Sequence, residues 1–208
     1  MIGIPRPSLL AVAVVALSAV ALADTKLVST WKSPDAAGVS YAGKKVIALI
    51  ITKDDALRVS AEEWLAAELT VRGVQGVAAY RIIPREETES AEKAKPWFER
   101  AQVDGVVTMR LVSADTERTY SPVVWSSGYY PSFWGYYGYG WTTVVDLGGG
   151  LRTDTRVVVE TLVYSVPKNA LLWAGVSETK NPKDARTFMK DLVKAIVKEM
   201  QKEGLARR

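Results

Sequence analysis

A cluster of aromatic side chains is the feature of this sequence whose residue types are best suited to binding. Residues 129–141, YYPSFWGYYGYGW, hold eight aromatic residues, three glycines and one proline. Tyrosine and tryptophan give rigid, amphipathic contact area at low entropic cost, and their rings can stack on a ligand. The candidate binding residues are Tyr129, Tyr130, Phe133, Trp134, Tyr136, Tyr137, Tyr139 and Trp141.

The composition of this stretch leaves two interpretations open. The glycines and the proline predict an irregular loop over about residues 120–142, which is neither a regular helix nor a clean strand. Eight rings left in water would exceed the largest apolar patch expected on a monomer, so something should cover them. Either the loop folds back over the core as a lid, or it is a recognition surface. Such a surface would meet a protein, a glycan or the headgroup layer of a membrane.

Two absent residue types restrict the catalytic chemistry. The chain contains no histidine and no cysteine, which excludes Cys or His nucleophile–base pairs and zinc sites built from thiolate or imidazole. We predict no metal and no cofactor. Paired carboxylates can catalyse hydrolysis without histidine, so a hydrolase is an alternative, although no spacing selects a pair. The candidate carboxylates lie near predicted strand ends: Asp104, Asp115, Asp146, Asp154 and Glu160.

The first elements that would position these residues form a β-α-β unit. The run KVIALII, residues 45–51, predicts a strand buried on both faces. A helix with a capping start at residues 52–55 follows, and Gly73 ends it. A second strand is predicted over residues 77–83. Because such a unit needs a crossover connection, at least one strand pair should be parallel.

A helix and a strand are predicted before the aromatic stretch. Pro96 cannot lie within a helix without a break, so a short helix should begin there with proline at its first position. A strand follows over about residues 104–113. Its alternating residues Thr108 and Arg110 predict that one face of this strand is partly exposed to water.

The C-terminal part predicts a hairpin and a helix. Residues 154–166 are rich in β-branched side chains, residues 167–170 form a turn, and a returning strand gives an antiparallel hairpin. Asn181 and Pro182 predict the start of the last helix, which is amphipathic. The fold class is therefore a single α/β domain: a mixed sheet with a β-α-β-α-β start, a C-terminal antiparallel hairpin and a final amphipathic helix.

The N-terminal residues predict export. Arg6 precedes a fifteen-residue apolar run, residues 9–23, which ends in A-x-A. This pattern is typical of a secretory signal peptide cleaved after Ala23, and the run is shorter than the ~20 residues that span a bilayer. We expect residues 24–208 to be a periplasmic protein without a transmembrane span. Export also argues against a nucleic acid partner.

Several stretches resemble one family. They are STWKSP, KKVIALIITKDDALRVSAEEWLAAELTVRGVQGVAAYRIIP, VDGVVTMRLV and VVVETLVYSVPKNALLWAGVSET. Together they resemble small exported bacterial envelope proteins of unassigned function, many of them lipoproteins, with a Trp-Lys-x-Pro start and a Tyr/Gly/Trp-rich insert. The resemblance implies an α/β envelope domain and no catalytic residue. Because this chain lacks the cysteine that a lipid anchor needs, it implies a free periplasmic protein.

The leading hypothesis is a non-catalytic binding or interaction module of the cell envelope, with residues 129–141 as its contact surface. A glycan- or peptidoglycan-binding protein that uses the same rings is the first alternative, and the carboxylate hydrolase is the second. The predicted partner is thus an envelope protein or a glycan, and peripheral membrane contact stays open.

Overall fold

The computed structural model of the chain describes residues 25–115, 130–145 and 155–206. The predicted signal peptide, Tyr129, Asp146 and Asp154 lie outside these ranges. The strands are β1 (Thr25–Lys32), β2 (Lys45–Ile51), β3 (Gln75–Ala78), β4 (Gly105–Asp115), β5 (Arg156–Ser165) and β6 (Ala170–Lys180). The α-helices are α1 (Asp55–Val71), α2 (Ala91–Ala101), α3 (Phe133–Thr142) and α4 (Ala185–Lys202). Among the residues described, no helix is long and apolar enough to cross a membrane.

The strands form one six-stranded mixed sheet in the order β1-β6-β5-β4-β2-β3. Strand β2 is parallel to β3 and β4, and the remaining neighbours pair antiparallel. As its apolar run predicts, β2 is buried from Val46 to Ile51. The predicted α/β fold, with its parallel β-α-β unit, C-terminal hairpin and final helix, is confirmed.

Helices cover both faces of the sheet, so the protein has two hydrophobic cores. On one face, α1 and α4 pack against strand residues such as Val107 and Val159. On the other face, α2 and α3 pack against residues such as Val106 and Leu162. Successive side chains of a strand point to opposite faces. Both sets of strand residues are therefore buried.

The sequence did not predict β1, the edge strand that pairs with β6. Its residues alternate between partly buried and exposed, and its one-sided pattern carries no continuous apolar run. Hydrogen bonds to β6 hold these residues in a strand, although their own sequence pattern does not predict one.

Three predicted boundaries are wrong, each because a hydrogen bond sets a different one. Strand β3 ends at Ala78 because the Glu62 carboxylate accepts the Tyr80 backbone N–H at 2.8 Å, and a 3₁₀ turn over Ala79–Arg81 follows. Helix α2 begins after Ser90, whose hydroxyl accepts the Lys93 N–H at 3.4 Å, and it contains the exposed Pro96.

Helix α4 begins later than predicted. Asn181 adopts a left-handed backbone, φ 49°, which is unlike the extended backbone of a helix N-cap. Instead the Asp184 side chain accepts the Thr187 N–H at 2.8 Å and caps the helix.

Candidate functional site

Most of the aromatic stretch is a helix, so the prediction of an irregular loop is wrong for residues 133–142. Ser132 starts α3, and its hydroxyl accepts the Gly135 N–H at 3.1 Å. Buried residues then recur at helical spacing: Phe133, Tyr136, Tyr137, Gly140 and Trp141. Glycine disfavours a helix by about 1 kcal/mol relative to alanine. Burial of one aromatic face outweighs that preference here.

Gly140 allows α3 to approach the sheet closely. A Cβ atom at this position would lie 2.7 Å from Ile51 Cδ1 and 3.6 Å from Arg110 Cδ. At Gly138, on the other side of the helix, a Cβ would meet no atom within 4 Å. Only one of these two glycines is therefore needed for packing.

Seven of the eight predicted binding residues are described, and they divide into two groups. Phe133, Tyr136, Tyr137 and Trp141 are at most 4 % exposed and belong to the core under α3. These four rings cannot form a contact surface in this conformation, because they pack against the sheet and helix α2. The rings that stay partly exposed belong to Tyr130, Trp134 and Tyr139.

Beneath α3 lies a buried ion pair. Arg110 on β4 and Glu160 on β5 are register partners and are 4 % and 0 % exposed. Arg110 Nη2 donates to Glu160 Oε1 at 3.2 Å, and the Tyr136 hydroxyl donates to the same oxygen at 2.8 Å. The predicted wet face of β4 is thus wrong: α3 covers Arg110, and Thr108 is also fully buried.

Arg110 also connects the C-terminal end of α3 to the sheet through hydrogen bonds. Its Nη1 donates to Thr143 Oγ1 at 2.9 Å and to the Thr143 carbonyl at 3.3 Å. Its guanidinium carbon lies 5.1 Å from the ring centroid of Tyr139 and 5.9 Å from that of Tyr136. A planar guanidinium can make fork-like hydrogen bonds and contact aromatic rings together. One side chain therefore contacts both a strand and a helix.

The tyrosines around this pair are held neutral. Burial raises the pKa of the Tyr136 hydroxyl well above its ordinary value, and the negative charge of Glu160 raises it further. The same two causes raise the pKa of Tyr130 and of Tyr164. Burial works to lower the pKa of Arg110, but its interaction with the Tyr136 hydroxyl and the negative charge of Glu160 raise it overall. None of these four groups can exchange a proton easily near neutral pH.

Glu62, on α1, is a second buried carboxylate. It is 0 % exposed and accepts the backbone N–H groups of Tyr80 at 2.8 Å and Ile50 at 3.3 Å. Burial raises its pKa to about 7, although these donors and the Arg58 guanidinium, 3.7 Å away, favour the charged form. Helical spacing alone did not distinguish this glutamate from its exposed neighbours.

Two of the candidate carboxylates, Asp104 and Glu160, do not form the pair that a glycoside hydrolase needs. Asp104 precedes β4, and its Oδ2 accepts the Lys45 N–H at 2.9 Å. Glu160 lies opposite Arg110, six residues further along β4, which corresponds to about 20 Å at ~3.3 Å per residue. Paired carboxylates in glycoside hydrolases are about 5–10 Å apart. Within the described ranges, no group of three or more acidic residues is arranged to hold a metal ion.

A surface cleft of about 390 Å³ lies beside the start of α3. Helix α2, helix α3 and the β5–β6 turn form its walls, so residues far apart in the sequence meet there. Its lining includes Lys95, Phe98, Glu99, Gln102, Trp134 and Asn169. Among the residues that the structure describes, Trp134 is the only predicted binding residue in this lining.

Asn169 fixes the position of Trp134 at this cleft. Its Oδ1 accepts the Trp134 backbone N–H at 3.3 Å, and its Nδ2 donates to Ser132 Oγ at 3.2 Å. The hairpin turn thereby holds the N-terminus of α3. The Trp134 ring also packs edge-to-face against Phe98, with 5.3 Å between the ring centroids.

Comparisons with known proteins identify no family. No family model matches the chain, and no curated protein matches it. Two solved structures of PelC dodecamers from Paraburkholderia phytofirmans, one of a point variant, are similar at 15 % and 14 % identity. The matches cover 89 % and 90 % of this chain and 100 % of the PelC chains, with TM-scores of 0.43 and 0.44. Similarity at this level supports no inference about what this chain binds.

Proposed function

We propose that this protein is a non-catalytic binding module of the bacterial cell envelope, with the exposed side of α3 as its contact surface. The observation that carries the proposal is the division of the aromatic residues. Buried rings and an ion pair hold the helix on the sheet, while the rings of Tyr130, Trp134 and Tyr139 stay partly exposed beside them. A contact surface fixed in this way loses little conformational entropy when it binds.

The absence of catalysis in this proposal is supported by the chemistry of the buried groups. Arg110 and Tyr136 both donate to Glu160 Oε1, and the tyrosine hydroxyls are held far from ionisation. Glu62 titrates near neutral pH but faces two backbone N–H groups inside the protein. Such groups stabilise the fold and present no free nucleophile or base to a substrate.

The periplasm is the proposed compartment. The signal-like N-terminus and the resemblance to exported envelope proteins support it, and the lack of cysteine argues against a lipid anchor. The proposed partner is an envelope protein or a glycan.

Co-sedimentation with envelope fractions tests this proposal. Trp134→Ala removes the ring at the cleft, and Trp64→Ala is the matched control, since Trp64 is also partly buried but packs on the opposite face of the sheet. Both variants should stay folded by circular dichroism. We expect Trp134→Ala to lose most of the association and Trp64→Ala to keep it. Equal association of the two variants would show that the exposed side of α3 is not the contact surface.

A further inference from the structure

We infer that the cleft beside Trp134 binds a neutral oligosaccharide, an inference that rests on the proposed function and names the ligand class. A pyranose ring has apolar C–H faces and a rim of hydroxyl groups. The cleft offers the matching arrangement: the partly exposed Trp134 ring, backed by the buried Phe98, provides apolar surface, and side chains with amide, carboxylate and ammonium groups surround it. Those groups can donate to and accept from hydroxyl groups.

Three polar side chains on one wall of the cleft are exposed and have no partner in the described part of the chain. Lys95, Glu99 and Gln102 lie on one side of it and are exposed. Asn169, on the other side, is exposed as well, but its amide is already bound to the start of α3. Over the ranges that the structure describes, the side chains of Lys95, Glu99 and Gln102 have no hydrogen-bond or ion-pair partner. They are therefore available to a ligand.

The backbone conformation of two cleft residues gives independent support for a ligand site at this cleft. Three non-glycine residues of the described ranges have a left-handed backbone, and two of them, Gln102 at φ 51° and Asn169 at φ 46°, flank this cleft. Glycine adopts this conformation without the cost of roughly 1 kcal/mol that other residues meet. Gln102 ends helix α2 at a position where glycine is the usual residue. A strained glutamine whose amide faces a cleft is the pattern expected where the side chain has a function.

Size and charge select the ligand class. The volume of about 390 Å³ falls in the range of ~300–1,000 Å³ typical of small-molecule sites. Lys95 and Glu99 offset each other's charge, so the lining favours neither a polyanion nor a polycation. Glu99 also disfavours the anionic surface of a membrane. A neutral sugar chain fits these conditions better than a lipid headgroup does.

Titration followed by NMR tests the inference. The mature protein labelled with ¹⁵N is titrated with cellotetraose and, separately, with the tetramer of N-acetylglucosamine, and Trp134→Phe assigns the Trp134 indole N–H signal. We expect at least one of these neutral oligosaccharides to shift that signal saturably in the millimolar range. The indole signal of Trp64, on the opposite face, should not move. A tetramer of galacturonate serves as the anionic comparison and should bind more weakly.

The variant Gln102→Gly separates binding from folding. Glycine relieves the left-handed backbone, so the melting temperature should stay the same or rise. The loss of one or two hydrogen bonds should weaken the saccharide affinity about fivefold. Unchanged affinity in this variant, binding of only the anionic tetramer, or no shift with either neutral oligosaccharide would each overturn the inference.

The proposed contact surface and the proposed saccharide ligand can be refuted independently. If Trp134→Ala abolishes envelope association but no neutral saccharide shifts the Trp134 signal, the contact surface stands and the saccharide is overturned. If a saccharide binds the cleft while Trp134→Ala associates with envelope fractions as before, the ligand class stands and the contact surface with the envelope is overturned.

Discussion

Replacing Glu160 by glutamine tests whether the buried ion pair holds α3 on the sheet. The change keeps the size of the side chain and removes its charge, so the Arg110 guanidinium, 4 % exposed, loses its counter-ion. Removing one partner of a buried pair costs about 3–5 kcal/mol, because an uncompensated charge stays in the interior. For a domain of this size, each kcal/mol lowers Tm by about 2–4 °C, so the expected drop is about 6–20 °C.

The assay is thermal unfolding of the mature protein at pH 7, with urea unfolding to obtain the free energy; both are followed by far-UV circular dichroism and by tryptophan fluorescence. The matched control is Glu178→Gln, which breaks the partly exposed pair of Arg156 and Glu178 on neighbouring strands. That surface pair should contribute at most about 1 kcal/mol. A drop for Glu160→Gln no larger than the drop for Glu178→Gln would refute the assignment of an anchoring role to the buried pair.

A double-mutant cycle then separates the pair from the general effect of a core substitution. Arg110→Met leaves the buried carboxylate of Glu160 without its cation, and it should also be strongly destabilising. Combining Arg110→Met with Glu160→Gln removes both charges. The double variant should therefore be less destabilised than the sum of the single variants by about 2 kcal/mol or more. Additivity within about 0.5 kcal/mol would mean that the two side chains act independently.

Two other predictions follow from packing and burial. Gly138→Ala should stabilise the protein by about 0.5–1 kcal/mol, because the new Cβ meets no atom within 4 Å and helix propensity improves. Gly140→Ala should destabilise it by about 1–3 kcal/mol, because the Cβ would lie 2.7 Å from Ile51 Cδ1; chemical unfolding that gives the two variants the same sign would contradict this packing. The Glu62 pKa is about 7 in the folded protein against an ordinary 4.5, so the folded state binds this proton more tightly than the unfolded state does. The free energy of unfolding should therefore fall by about 3 kcal/mol as the pH rises from 4.5 to 7. Unfolding free energies at pH 5 and pH 8 check this, and Glu62→Gln should lose most of the difference.

The β-α-β unit was predictable because its local signals and its tertiary surroundings agree. KVIALII is apolar throughout, and β2 is buried from Val46 to Ile51. The predicted start at residues 52–55 is close, although Asp54 and not Thr52 caps α1 by accepting the Leu57 N–H at 2.9 Å, and Gly73 follows the helix with φ 76°. Acidic side chains at a helix start and glycine just beyond its end each act within a few residues. No distant contact was needed to locate these elements.

Helix α3 was not predictable in the same way, because its local and tertiary preferences conflict. Glycine lowers helix propensity, and the three glycines outweighed the aromatic pattern in the prediction. The spacing of Phe133, Tyr136, Tyr137, Gly140 and Trp141 nevertheless matches one face of a helix. Burial of that face determines the outcome, and this burial depends on strands β4 and β5, whose residues lie far from α3 in the sequence.

The wet face predicted for β4 failed for a related reason. An arginine in an alternating strand position is exposed if nothing covers it and buried if a helix does. Whether Arg110 is buried depends on α3, which covers it, and on the carboxylate of Glu160 on the neighbouring strand. The cleft at Trp134 is harder still to predict from the sequence, because its walls come from α2, α3 and the β5–β6 turn. Sequence reasoning found its tryptophan but had no signal for Gln102 or Asn169.

The burial of four of the aromatic residues affects how rigidly the partly exposed Trp134 is held. A Trp134 carried on a free loop would lose conformational entropy on binding, and that loss would reduce its affinity for any ligand. Instead, the neighbouring rings of Phe133 and Tyr137 are in the core, and Asn169 holds the Trp134 backbone from the other side. The direction of the indole ring is therefore set before a partner arrives. The buried rings cover the sheet as the predicted lid would, and in the proposed function the partly exposed rings beside them form the recognition surface.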